Sequence, residues 1–174
     1  MSDWKTRFSQ TAREAATAVG QGVQRVGSEV AASHPLTTLA WPPSTTGISA
    51  VVTVPVTSLI TEDGPESQIW RAAGIDARGN WQFEIHNGKP EVLAALGSSM
   101  PAILDVLASR HTWQWPIPGV GEGAVVCQDD GHTLEAVCYA WKGTSVVWAT
   151  AWVPGSPPDP RDPAVALARA VYGG

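Results

Sequence analysis

The sequence predicts an α+β domain: an antiparallel sheet that closes with a three-stranded meander, short helices on one face, and a separate amphipathic helix at the N-terminus. Three observations carry this. Residues 123–154 read as three antiparallel strands joined by two tight turns, Asp129-Asp130-Gly131-His132 and Lys142-Gly143-Thr144-Ser145. Trp81, Phe83 and Ile85 alternate strictly with Gln82, Glu84 and His86, the period of a strand with two unlike faces. The 17 Gly and 14 Pro among 174 residues favour short elements and many turns, and strands outnumber helices.

At the N-terminus, Ser2 is placed to cap a helix whose first turn carries Asp3. Trp4, Ala15 and Val26 are eleven residues apart, as are Phe8, Val19 and Val30, and Ala12 and Val23. At about 100° per residue these positions share an arc of about 100°, with Arg7, Glu14 and Arg25 opposite. Residues 1–33 are therefore expected to form an amphipathic helix with an eleven-residue repeat. Gly20, Gly22 and Gly27 each lower its intrinsic helicity by about 1 kcal/mol relative to Ala, so it needs a surface to fold on.

The stretch TAREAATAVGQGVQRVG, with its small-residue apolar face, scattered Thr and Gly and basic flanks, resembles the repeats of synucleins and exchangeable apolipoproteins. The resemblance covers about 30 residues and implies a segment disordered in water that turns helical on lipid. Four cations (Lys5, Arg7, Arg13, Arg25) against three anions (Asp3, Glu14, Glu29) leave a net +1, so attraction to anionic lipid is weak. Attachment would rest on Trp4 and Phe8, with Val19, Val23, Val26 and Val30 completing the contact face. A membrane surface, a protein partner and the chain's own domain each satisfy such a face, and the repeat also allows self-association into a homo-oligomer.

Residues 34–47 form a Pro- and Thr-rich linker to an α+β domain spanning 48–154. Residues 48–54 and 56–61 read as extended, with Val52, Val54, Val56 and Ile60 sharing a face, and Pro55 marks an edge strand or a break. Glu62-Asp63-Gly64-Pro65 is a turn. Residues 67–76 and 81–86 pair as a hairpin closed by 77–80. Pro90 suits a first helical position, so 91–96 and 101–109 form one broken or two short helices, with Gly97 as a stop and Ser99 as a cap before Pro101. Residues 112–115 are a short strand with Trp113 and Trp115 on one side, and 116–123 a Pro/Gly loop.

In the meander, setting Trp141 opposite Val146 puts Tyr139, Trp141, Val146, Trp148 and Trp152 on one face. Ala136, Cys138, Ala140, Val147, Ala149 and Ala151 fall on the other. Strands apolar on both faces belong inside a sheet covered on both sides. The stripe Met100, Ile103, Leu104 and Leu107 is expected to lie on the small face, while the aromatic face reads as core or, alternatively, as a ligand or partner groove. Residues 155–174 are a proline-rich tether followed by a helix capped by Asp162 and opened by Pro163.

A tight first turn would set Cys127 opposite Leu134, with Cys138 four residues further along the same face, roughly 13 Å away. A disulfide tolerates a Cα separation of about 7 Å, so free buried thiols are expected unless a wider loop sets Cys127 opposite Cys138. The stretch VCYAWKGTSVVW also resembles the closing strands of a domain at the C-terminal end of many actinobacterial membrane-anchored proteins of unknown function. There a cysteine strand leads to a second Cys followed by Trp, an acidic residue, a turn and an apolar strand. Here one extra residue separates Cys138 from Trp141, the acidic residue and membrane segment are missing, and the resemblance implies no function.

A formal charge of −5 with only 11 Lys and Arg argues against a nucleic-acid binder. No run of 18 apolar residues and no signal-peptide pattern is present, so the expected location is cytoplasmic, peripheral on the inner membrane face where the helix meets lipid. The segment from Gly119 to Gly123 superficially resembles a phosphate loop, but it precedes a strand and no Lys-Ser/Thr follows. His34, His86, His111 and His132 lack the paired spacing of a metal site. No catalytic, cofactor-binding or metal residue is therefore assigned.

The sharpest catalytic constellation is Cys127 with His132 and Asp129 or Asp130, yet nothing supplies an oxyanion hole. Trp113, Trp115, His111 and Asp105 are a candidate pocket lining. The expected function is non-enzymatic: attachment through residues 2–32 to a membrane surface or a protein assembly. The alternative is a small ligand-binding domain or enzyme with its pocket on the aromatic face, at Tyr139, Trp141, Trp148 and Trp152.

Overall fold

The computed structural model describes residues 39–155 and 158–172; the amphipathic segment, with Trp4, Phe8, Val19, Val23, Val26 and Val30, lies outside the described residues. Two antiparallel meanders build the sheet. The first joins β1 (Val56–Asp63), β2 (Ser67–Asp76) and β3 (Gly79–Gly88). The second joins β4 (Trp113–Pro116), β5 (Gly123–Gln128), β6 (Glu135–Lys142) and β7 (Ser145–Trp152). Antiparallel pairing of β3 with β7 fuses them into one seven-stranded sheet of order β1-β2-β3-β7-β6-β5-β4. Runs of antiparallel strands set apart by helices, with no strand–helix alternation, make the fold α+β, as expected.

The connection between the meanders crosses one face. It consists of two short helices, α2 (Pro90–Leu96) and α3 (Met100–Ala108), bent at 78° to each other. Pro90 opens α2 and Ser99 caps α3, its hydroxyl accepting the Ala102 N–H at 3.5 Å. After β7 the chain returns over the opposite face as α4 (Arg161–Tyr172), beside α1 (Thr45–Val52).

The register sets Trp141 opposite Val146 and Tyr139 opposite Trp148, so the aromatic and small faces are divided as expected. Their covers are exchanged. Leu93, Ile103, Leu104, Leu107 and Ala108 pack with Cys127, Val137, Tyr139 and Val146, which places α2 and α3 on the aromatic face. The small face, including Ala136, Cys138, Ala140, Ala149 and Ala151, packs instead with Ala164, Leu167 and Ala168 of α4. The physical reason is fit: α4 presents alanines at its centre and approaches a floor of alanines closely, while the leucines and isoleucine of α3 fill the gaps between rings. Burying Leu167 alone is worth about 1.5–3 kcal/mol.

Residues 48–54 are not a strand. Ser44 Oγ accepts the Gly47 N–H at 3.1 Å and starts α1, whose buried residues Ile48, Val51 and Val52 stand at i, i+3 and i+4. The β-branched run concealed a helical period. Thr53 takes a left-handed conformation (φ 56°) that ends the helix before Pro55, and Ser49 Oγ accepts the Val56 N–H at 2.8 Å as the strand begins. Val52 and Val54 are buried while Ile60 is exposed, so the four residues expected on one face do not share it.

Only one of the two meander turns is tight. Gly143-Thr144 joins β6 to β7 with Gly143 at φ 60°, the first position that a type II′ turn gives to glycine. Between β5 and β6 the chain runs through the wider loop 129–134, because Asp129 is drawn away: its carboxylate accepts the Thr112 N–H at 2.9 Å and bonds His111. The register consequently sets Cys127 opposite Val137 and Cys138 opposite Val126, so the two cysteines lie on opposite faces, not on one. Both are free and buried.

Overpacking tests the exchanged cover. Ala149, fully buried, should cost about 1–3 kcal/mol when changed to Leu, because α4 has no room to retreat. Urea melts of Ala149→Leu and of Val106→Ala, an exposed α3 position, measure it; equal midpoints would mean that α4 does not seal this face.

Candidate functional site

Four rings, three from strands and one from a connection, line up across the aromatic face. His86 of β3 stacks on Trp148 of β7, with ring centroids 4.9 Å apart and planes at 14°. Trp148 meets Tyr139 of β6 at 6.2 Å and 40°, and Tyr139 meets His111, in the α3–β4 connection, at 5.7 Å and 47°. Sheet order creates the row: β3, β7 and β6 are neighbours, and the register puts His86 and Tyr139 opposite Trp148 on either side. Such contacts add about 0.5–1.5 kcal/mol per pair beyond burial.

Each end of the row is a histidine held between a carboxylate and a hydroxyl. His86 Nε2 lies 2.9 Å from Glu84 Oε2, and its Nδ1 lies 3.0 Å from Ser67 Oγ. A carboxylate accepts only, so Nε2 carries a proton and donates to Glu84, and in the neutral ring that burial favours Nδ1 accepts the Ser67 hydroxyl. Burial holds His86 below its ordinary pKa; Glu84 opposes the shift and Arg71 adds to it. Arg71 in turn donates to Glu84 Oε1 at 2.7 Å and to Glu62 Oε2 at 2.6 Å.

At the other end His111 Nδ1 donates to Asp129 Oδ2 at 2.9 Å, and Tyr139 Oη donates to His111 Nε2 at 2.9 Å. The backbone bond from Thr112, and then His111, hold Asp129 below the usual carboxylate range. Carboxylate, imidazole and hydroxyl stand in the order of a nucleophile triad. The hydroxyl, however, is a buried phenol whose pKa burial raises further, so it stays protonated and serves as a donor.

The catalytic constellation anticipated around Cys127 is not assembled. Cys127 is fully buried, and desolvation, followed by the charge of Asp129, pushes its thiol up to about 12. A thiolate is thus scarce at neutral pH. Asp129 serves His111, Asp130 accepts the Trp113 indole N–H at 2.7 Å, and exposed His132 lies 3.8 Å from Glu135. Among the described residues no group of three or more His, Cys, Asp and Glu side chains is placed to hold a metal ion.

The other anticipated residues disperse or close up. Trp115 packs with the small-face core under the Arg161 guanidinium, 4.7 Å from its ring, while His111 joins the aromatic face, so Trp113, Trp115, His111 and Asp105 line no common pocket. Tyr139 is buried, and Trp141, Trp148 and Trp152 are half-buried. Trp141 lies over Gly123, where an added Cβ would come within 2.5 Å of its Nε1. In the preceding loop Gly121 holds a positive φ (57°), and a Cβ there would come within 2.3 Å of the Trp141 carbonyl oxygen. The glycine loop is a structural turn that lets the chain pass beneath Trp141.

Comparison with known proteins identifies no relative: no family model, no curated protein and no solved structure significantly matches the chain.

Two measurements check this site. With the folded pKa of His86 depressed below 6.5, the unfolded chain takes the proton first as pH falls, so stability is full above about pH 6.5 and declines below it. His86→Gln can still donate to Glu84 and accept from Ser67 but cannot titrate. Its urea-melt stability should fall less than wild type between about pH 7 and pH 5; parallel declines would assign the dependence to another group. Thiol titration supplies the second check. Both cysteines should resist a thiol reagent in the native protein and react on unfolding, whereas fast native labelling of Cys127 would show that its cover opens.

Proposed function

We propose that this is a non-enzymatic protein that attaches through residues 2–32 to a membrane surface or a protein assembly. One observation carries the reading: the eleven-residue apolar repeat, in which Trp4 and Phe8 are the only large side chains and the remaining positions are Ala and Val. Features of the folded domain support it. The thiol and phenol that nucleophilic chemistry would need are buried and held protonated. Among the described residues, helices cover both faces of the sheet.

The competing reading, a small-molecule site on the aromatic face, has less to stand on. Tyr139 is buried with the α2–α3 cluster, and Trp148 is engaged by His86 on one side and by Tyr139 on the other. Those rings already have occupants.

The test is a double substitution. Each large side chain leaving an apolar phase forfeits roughly 1.5–3 kcal/mol, so Trp4→Ser with Phe8→Ser should weaken attachment at least about tenfold. Co-sedimentation with anionic vesicles and pulldown of protein partners read attachment, beside a thermal melt of the same variant. Unchanged attachment in both assays removes the proposal. A melting temperature lowered by several degrees assigns the segment to the domain's own core instead.

A further inference from the structure

The two edges of the described sheet are unequal. β4 is four residues long and ends in Pro116. β1 is eight residues long, with six of them exposed, and carries neither Pro nor Lys, two devices that commonly protect an edge. Its bulge falls at the start, between Val56 and Ser58, and leaves residues 58–63 in regular register with β2.

The outward face of β1 can be read from its inward one. The Gly64 N–H donates to Ser67 O at 2.9 Å, which continues by one residue the register that sets Asp63 opposite Gln68. Backbone groups alternate from side to side along a strand, so those of Ser58, Ile60 and Glu62 bond β2. Those of Leu59, Thr61 and Asp63 point out of the sheet. Acidic residues at an edge ordinarily repel a second strand, but here Glu62 is paired with Arg71 at 2.6 Å and Asp63 with Lys89 at 2.8 Å. Their charges are met within the protomer.

We propose that β1 pairs antiparallel with β1 of a second copy, about a two-fold axis at Ile60. Leu59 then exchanges both backbone bonds with Thr61 of the other copy, which is possible because both residues present outward groups. Ile60, 58% exposed in the single chain, lies opposite its own counterpart and gains an apolar neighbour. Glu62 falls opposite Ser58, whose hydroxyl can donate to it, so the acidic end of one strand meets the uncharged end of the other. The strand is complementary to itself under this register, and the contact is isologous. The two sheets join as one, and the seam is only one strand wide, so association is expected in the micromolar range.

Sedimentation equilibrium of the full chain tests the proposal. The mass should rise from 18.3 kDa toward twice that value with concentration. Thr61→Pro removes an outward N–H and no β1–β2 bond, and Pro is accepted at such positions of edge strands. It should weaken dimerisation at least tenfold while leaving the urea midpoint in place, and Ile60→Lys, which keeps every backbone donor, should do the same. Trp4→Ser with Phe8→Ser should leave the dimer intact, which separates this seam from self-association of residues 1–33. In hydrogen exchange the amides of Leu59 and Thr61 should be slow in the dimer, and that of Leu59 fast in Thr61→Pro. A chain that stays at 18.3 kDa at all concentrations, or a dimer indifferent to both β1 substitutions, overturns the proposal.

Discussion

The pairing of β3 with β7 is the joint on which the domain depends. Without it the two meanders would be separate small sheets, each with an additional open edge and half a core. The joint works because residues of opposite size stand side by side: Phe83 lies opposite Ala151 and Ile85 opposite Ala149 on the face under α4. On the other face of the same pair, Glu84 stands opposite Thr150 and His86 opposite Trp148. One strand contact therefore seats the C-terminal helix and begins the aromatic row.

The aromatic row shows how polar groups can be retained inside a largely apolar layer. Two imidazoles are admitted because each ring nitrogen finds a partner, and an unpaired buried polar group would cost about 1–3 kcal/mol. The arrangement of Asp129, His111 and Tyr139 mimics a catalytic order, but the same geometry with a buried phenol yields a structural clamp that ties the α3–β4 connection to β6. Composition of the third member and its access to solvent decide between the two outcomes.

Much of the fold was legible in the sequence, and the reasons for the rest are physical. Strict alternation located β3, and the Gly143 turn fixed the register that divided Tyr139, Trp141 and Trp148 from Ala140 and Ala149. Residues 48–52 misled because Ile and Val favour strands by propensity while their spacing here is helical, and the cap at Ser44 outweighed propensity. The loop at 129–134 was not legible, since what widens it is a bond between Asp129 and a histidine 18 residues away on another element. The Ser67–His86 contact was within reach: once Asp76 stands opposite Gly79, the hairpin register brings those two side chains together. Which helix covers which face is a matter of shape across the whole core, and no local pattern encodes it.

The position of α4 in chain order has a consequence for biosynthesis. It follows all seven strands, yet it lies across the middle of the sheet, and its final turn is fastened to the β6–β7 turn: Tyr172 Oη donates to the Ser145 carbonyl at 3.0 Å and Lys142 Nζ donates to the Tyr172 carbonyl at 3.1 Å. Its partner β7 is likewise the last strand made, although it sits at the centre of the sheet. During vectorial translation, β1–β3 must therefore wait with β3 unpaired on one side and the alanine floor uncovered until the ribosome has released residues 145–172. The sheet therefore cannot be completed from its N-terminus onward, because its central strand and the helix over it are the last parts of the domain to be made.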